Sequence, residues 1–395
     1  MKKFILSICI ASLGLYANAD LTADGFYRVK NYGSERWCNM IDNKASVDFL
    51  AGVADLHSLE LTNNTEAILS SPGSVVLLTK MSGNQYDISA QGTTLSHLVN
   101  NSISIMQNGS AENGQALYRI YGTQKGVTKY IGDARTVLSY ELGKASINVS
   151  STKFLQWEIL PISASSDNFF GVVPTVEAND KQYTTLYTSF AYKPYSEGMK
   201  AYYIGRVGNG MAEILEVADF VPQTSPVIIE CVGATASDNR VELSQSTGAL
   251  NGNSLKGVYF DYNTSENVNQ VKYNPATMRV LGACSDGSLG FVTADIQSIP
   301  ANSAYLIVPQ DSPAEFKCVT SEEFDAAGVD SIMDNGNALS FDGQNIVAQY
   351  PTDVKVYNMA GQLVMSAHGD YINVSNLAKG VYLVAGAGTT IKISL

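Results

Sequence analysis

The sequence predicts an all-β protein of several domains, and three observations lead there. Apolar residues alternate with polar ones in short runs such as Phe26-Tyr27-Arg28-Val29, Ser74 to Thr79, Leu117 to Tyr121, Pro226 to Val232 and Ala304 to Val308. A period of two is the mark of a half-buried strand. Gly, Asn, Asp and Pro interrupt these runs at close intervals, as turns between strands require. Helical spacing is confined to Val47–Leu61 and Ser321–Ala327. Composition agrees. The chain has 395 residues, longer than one ordinary domain, and only 16% of them are charged. Mean hydropathy is nevertheless −0.00, so uncharged Ser, Thr, Asn and Gln carry the polarity. A net charge of −12 and a pI near 4.7 argue against a nucleic-acid surface, which rests on clustered Lys and Arg.

Residues 1–19 read as a signal peptide. Lys2 and Lys3 make a basic start, Phe4 to Tyr16 is apolar, and Ala17-Asn18-Ala19 has small residues where cleavage needs them. The apolar stretch is too short to span a bilayer, and no later stretch approaches that length. Cleavage near Ala19 removes both lysines and takes the net charge from −12 to −14. The mature chain then holds Cys38, Cys231, Cys284 and Cys318 in an oxidising compartment. One bridge among the last three and four small buried apolar residues are both open readings. No CxxC is present, so zinc and thioredoxin-like chemistry are not expected.

Two polar stretches mark boundaries: Pro161 to Asn168, and Thr320 to Asn337 with its Asp334-Asn335-Gly336-Asn337 run. They divide the mature chain into 20–162, 168–320 and 332–395. In the first region, Gly25-Phe26-Tyr27-Arg28-Val29 reads again as Leu117-Tyr118-Arg119-Ile120, and Phe154 to Pro161 closes it with Gln156-Trp157. This order of strands and turns resembles the β-trefoil of ricin-B-type lectins. In the middle region, Val217 to Ile229 and Thr293 to Ile307 form a repeat, each copy following a polar hairpin: Gly208-Asn209-Gly210 in one, Asp286-Gly287 in the other. The region resembles a β-rich, sandwich-like module of secreted Bacteroidetes surface proteins, which implies a structural or adhesive role. In the last region, Val354 to Val364 makes a strand, an Ala360-Gly361 turn and a strand. Ile372 to Val384 follows, with a Lys379-Gly380 turn. This segment closely resembles the C-terminal sorting domain of type IX secretion, an Ig-like β-sandwich. The resemblance implies recognition by outer-membrane secretion machinery through residues 332–395.

Little in the sequence points to catalysis. There are three histidines, His57, His97 and His368, the last in an exposed-looking turn. There is no His-Glu-x-x-His, no Gly-x-Ser-x-Gly and no phosphate-cradling Gly-x-x-x-x-Gly-Lys-Ser/Thr. Cys38 with His57 or His97 is the one conceivable nucleophile pair. Glycosidases need only two carboxylates, and nothing singles out two among the 37 acids. Asp334-Asn335-Gly336-Asn337 and Asp286-Gly287 have calcium-ligand types but read as turns. No catalytic residue, metal site or cofactor is therefore expected.

Binding is the natural expectation, because sugars are held by aromatic faces with Asp, Asn and Gln beside them. The ricin-B resemblance implies a glycan site at Trp37, Asn39, Tyr130 and Asp133, where packing of Trp37 and Tyr130 in a core is the competing reading. Trp157 alternates with Leu155 and Ile159 and is expected in the core. Asp330-Ser331-Ile332 resembles an O-glycosylation acceptor, which implies Ser331 as a modification site. The whole is expected to be a secreted or cell-surface, non-catalytic glycan-binding or adhesion protein. A glycoside hydrolase or hydrolase accessory, and a purely structural surface protein, are the alternatives.

Overall fold

A computed structural model describes residues 21, 24–41, 59–94, 103–124, 127–133, 152–263, 268–327, 339–341, 344–359, 361–386 and 389–395. The signal peptide, most of the Val47–Leu61 helix expectation, His57, His97, Ser331 and Asp334 to Asn337 lie outside the described residues. The chain is all-β and divides into two compact units, one running to Phe170 and one from Gly171 onward.

The first unit is built from β1 (Gly25–Asn31), β2 (Trp37–Met40), β3 (Leu59–Thr62), α1 (Thr65–Ser70), β4 (Val76–Ser82), β5 (Gln85–Ala90), β6 (Thr93–Thr94), β7 (Ile103–Ser110), β8 (Ala116–Gln124), β9 (Val127–Tyr130) and β10 (Trp157–Pro161). Helical spacing was misleading at Leu59–Leu61, which is extended and paired with Cys38 to Met40. An Asn64 cap does start a helix a few residues later, its Oδ1 accepting from Ala67 N–H at 3.0 Å. Strands β1, β4, β5, β7, β8 and β10 pair in succession, and β10 returns to β1, so the sheet closes on itself. β2 with β3, β6 and β9 leave the ring after β1, β5 and β8.

Register explains the core. Tyr27 opposes Val76, Leu78 opposes Ile88, Ile105 opposes Ile120, Tyr118 opposes Trp157 and Ile159 opposes Val29. Directly opposed residues share a face, and all of these are buried, so they line the inside of the ring. Trp157 is fully buried, as its alternation predicts, and its indole N–H donates to the Ile131 carbonyl at 2.9 Å. The opposite face carries Arg28, Lys30, Glu158 and Leu160. It becomes the wall of the site described below.

The second unit contains β11 (Lys181–Leu186), β12 (Lys200–Gly208), β13 (Met211–Glu216), β14 (Val227–Cys231), β15 (Leu255–Val258), β16 (Met278–Ala283), β17 (Leu289–Val292), β18 (Ser303–Ile307), β19 (Glu315–Val319) and α2 (Ser321–Ala326). Their order in the sheet is β11-β14-β12-β13-β19-β17-β16-β18-β15. A strand, a hairpin and a strand that returns to the hairpin's first arm occur twice: β11, β12–β13, β14, and again β15, β16–β17, β18. That is the repeat read in the sequence, arranged head to head about β19. One core of both halves includes Ile204, Ile228, Phe291, Leu306 and Phe316. The Asp286-Gly287 hairpin forms, with Gly287 at φ +81°. α2 starts at the predicted position on a capping box between Thr320 and Glu323.

The last strands are β20 (Leu339–Phe341), β21 (Asn345–Asn358), β22 (Leu363–Asn373), β23 (Val381–Gly386) and β24 (Thr389–Ser394). They form one five-stranded antiparallel sheet around a separate core of Ile346, Val354, Val356, Ile372, Val384 and Ile393. Gly361 has φ +78° in the turn between β21 and β22. His368 corrects its expected place in a turn: it lies within β22, its Nδ1 2.8 Å from Asp353 Oδ1 on the opposed strand.

Candidate functional site

The first unit holds a cavity of about 410 Å³ on the outer face of the ring. Its wall is a cross-strand row. Trp37 on β2 directly opposes Lys30 on β1, and Lys30 directly opposes Glu158 on β10. All three line the cavity, with α1, Asn113 and Gln115 of the turn before β8, and Ser163 to Asn168 around them. The Lys30 ammonium is 5.3 Å from the Trp37 ring centroid and 4.0 Å from Glu158 Oε2. The first distance is a cation–π contact; the second is too long for a hydrogen bond. Burial pushes the Glu158 carboxyl above the usual carboxylate range; Lys30 pulls it part of the way back, and Glu35 opposes that pull.

Arg28 anchors the cavity and commits four of its five N–H donors to the protein around it. Its guanidinium donates to Ser74 Oγ at 2.9 Å, to Asn168 Oδ1 and the Phe169 carbonyl at 2.7 Å each, and to the Leu69 carbonyl at 3.3 Å. Burial lowers its pKa to about 9. Asn168 in turn donates to the Leu160 and Pro161 carbonyls at 3.0 and 2.8 Å. The stretch read as a linker is therefore folded back on the ring and forms one side of the cavity.

The four residues expected to bind glycan do not share one site. Trp37 lines the cavity; Asn39, Tyr130 and Asp133 do not. The Trp37 indole N–H donates to Thr65 Oγ1 at 3.3 Å, and the side chain is 8% exposed. Asn39 Oδ1 accepts from Ser71 Oγ at 2.7 Å. The Tyr130 ring packs 5.6 Å from that of Tyr121 and 5.3 Å from the Arg119 guanidinium. Asp133 is fully buried and takes both arms of a fork from Arg36, with Nε to Oδ2 at 2.8 Å and Nη2 to Oδ1 as the second arm. A sequence places Asp133 near a turn but does not reveal that Arg36, 97 residues earlier, meets it. Lys30 and Glu158 occupy the polar positions of the alternation in the first and last ring strands, so the sequence does not distinguish them from ordinary outward-facing strand residues.

Other chemistry-bearing residues are accounted for structurally. Burial raises the Cys38 thiol to about 12, with Asp133 adding to the rise and Arg36 opposing it, so Cys38 is held protonated at neutral pH. Cys231 and Cys318 are likewise raised to about 12 by burial. Cys284 and Cys318 stand on opposite faces of the sheet. Gly290 opposes Lys317, and a Cβ on Gly290 would meet Cys284 Sγ, so Cys284 shares the Lys317 face that Cys318 leaves. Glu230 on β14 accepts from Lys181 at 2.7 Å and Tyr202 at 3.1 Å, a closed polar cluster. Among the described residues no group of His, Cys, Asp and Glu is arranged to hold a metal ion. No helix among them is long and apolar enough to cross a membrane.

Residues 338–394 match the family model of the secretion system C-terminal sorting domain. This is the five-stranded sheet that ends the chain, and it marks the protein as one addressed to secretion machinery, hence secreted or cell-surface. No curated protein and no solved structure matches the chain.

Proposed function

We propose that this is a secreted or cell-surface, non-catalytic binding protein that recognises glycans through its N-terminal unit. The observation that carries the reading is the outer-face cavity with Trp37, Lys30 and Glu158 in one cross-strand row. An aromatic surface beside a few convergent polar groups, in a volume within the usual ~300–1,000 Å³ of small-ligand sites, is what sugar recognition requires. We read the unit itself as β-trefoil-like. Support comes from the closed ring of β1, β4, β5, β7, β8 and β10 with an excursion after every second ring strand. The C-terminal sheet we read as the Ig-like sandwich of sorting domains.

The test is a glycan array probed with the full secreted chain. Binding to a defined set of glycans that falls on Trp37→Phe, with thermal unfolding unchanged, supports the reading. A flat array favours a purely structural surface protein. One observation favours hydrolysis as a second reading: Glu158 and Asp167 line the same cavity, and Glu158 has the raised pKa of a general acid. Release of reducing ends from a polysaccharide panel, abolished by Glu158→Gln, would establish that reading in place of simple binding.

A further inference from the structure

We propose that the cavity takes an uncharged sugar residue, with a hydroxyl pair seated between Lys30 Nζ and Glu158 Oε2 and a C–H face against Trp37. The inference rests on the glycan reading of the cavity and adds the class of sugar to it.

The charges that line the cavity are Arg28, Lys30, Glu158 and Asp167, two of each sign. An ionic ligand would leave one sign of that set without compensation, and a buried uncompensated charge is costly. Arg28 is poorly placed to serve an acidic sugar, because four of its five N–H donors are given to Ser74, Asn168, Phe169 and Leu69 and the side chain is fully buried. Lys30 cannot serve one alone without drawing the acid against Glu158, directly opposite on the neighbouring strand.

The Lys30–Glu158 separation favours a neutral polyol. At 4.0 Å the two groups attract without a hydrogen bond. The Glu158 side chain is 14% exposed, so water reaches it poorly. A hydroxyl both donates and accepts. One that donates to Glu158 while accepting from Lys30 satisfies both and adds no charge. A second, adjacent hydroxyl can use the other carboxylate oxygen. Trp37 is next in the row, where the apolar face of the same ring would lie. Cation–π contact with Lys30 holds the ammonium between the indole and the carboxylate, so the donor is positioned before the ligand arrives.

The experiment is saturation-transfer NMR and calorimetry on the full secreted chain with methyl mannoside, methyl galactoside and methyl glucoside as uncharged probes. Glucuronic acid and N-acetylneuraminic acid serve as acidic probes, and glucosamine as the cationic one. At least one uncharged glycoside is expected to bind in preference to the charged probes. Glu158→Gln and Lys30→Met are each expected to weaken it about tenfold or more, the loss of one hydrogen bond to a charged group. Glu158→Gln keeps side-chain length and Lys30→Met shortens it by one atom, and their unfolding curves check that the unit still folds. Preference for an acidic or amino sugar overturns the inference and leaves the glycan reading standing. So does binding that neither substitution weakens. Silence from every sugar overturns both.

Discussion

Replacing Asp133 with Asn separates a structural role for this residue from a role in ligand binding. The wild-type carboxylate is fully buried and meets a guanidinium that is itself 5% exposed. Asn keeps the shape and one acceptor but removes the charge, so Arg36 is left ionised in a place water does not reach. Breaking a buried pair in this way costs about 3–5 kcal/mol. Neither partner is exposed enough for solvent screening to reduce that figure. For a domain of this size each kcal/mol shifts the melting temperature by about 2–4 °C, giving a fall of about 6–20 °C. Calorimetry of the secreted chain measures it in the transition of the N-terminal unit. Replacing both partners, as Arg36→Met with Asp133→Leu, should recover much of the loss, because a buried ion pair can often be exchanged for apolar packing. An Asp133→Asn protein that melts with the wild type, yet loses glycan binding, would refute this reasoning and make Asp133 a ligand residue.

Further expectations concern the rest of the chain. Glu158→Gln should raise stability at neutral pH. The folded pKa is above the unfolded one, so the wild type loses stability as pH rises through it, whereas Gln behaves as the protonated form throughout. The gain should vanish in acid below the unfolded carboxyl range, and an equal gain at both extremes would contradict the cause. Glu213 is the opposite case. Its hydrogen bond from Arg206 holds the carboxyl below the usual range against burial. Stability present above the unfolded pKa should therefore drain away as pH falls through the folded one, and Glu213→Gln should flatten that acid limb in a urea-melt series. Gly171→Ala would set a Cβ 1.9 Å from the Ala236 carbonyl oxygen. Backbone on both sides must shift, so a loss of about 1–3 kcal/mol is expected by urea unfolding. Removing residues 338–394 should leave the protein inside the cell envelope; unchanged location by fractionation would deny those residues a sorting role.

The elements that could be read from the sequence are those whose information is local. Alternation placed β1, β8, β14 and β18, Asp286-Gly287 placed its hairpin, and helical spacing over Ser321–Ala327 placed α2. The tail was the clearest, because its turns and strands follow one another without long excursions. Leu59–Leu61 was misread because its helical spacing is overridden by pairing with Cys38 to Met40. The site was legible only in Trp37. Glu158 and Lys30 are 128 positions apart, and only ring closure makes them neighbours. Asp133 has the residue type of a sugar ligand, but its environment makes it a counter-ion, and environment is a tertiary property. Asn168 sits in a stretch with the composition of a linker, yet its side chain ties that stretch to the ring.

The ring is closed by its first and last strands, and this bears on how the protein reaches its folded state. β1 finds β10 only after the intervening chain is available, so the slowest contact to form is also the one that removes both free edges. Until then the nascent unit presents two unpaired strands, the form most prone to joining another chain. Conditions that shield Gly25–Asn31 until Trp157–Pro161 is available should therefore raise the yield of folded protein. C-terminal truncations ending before Trp157 should for the same reason aggregate, not merely bind less well.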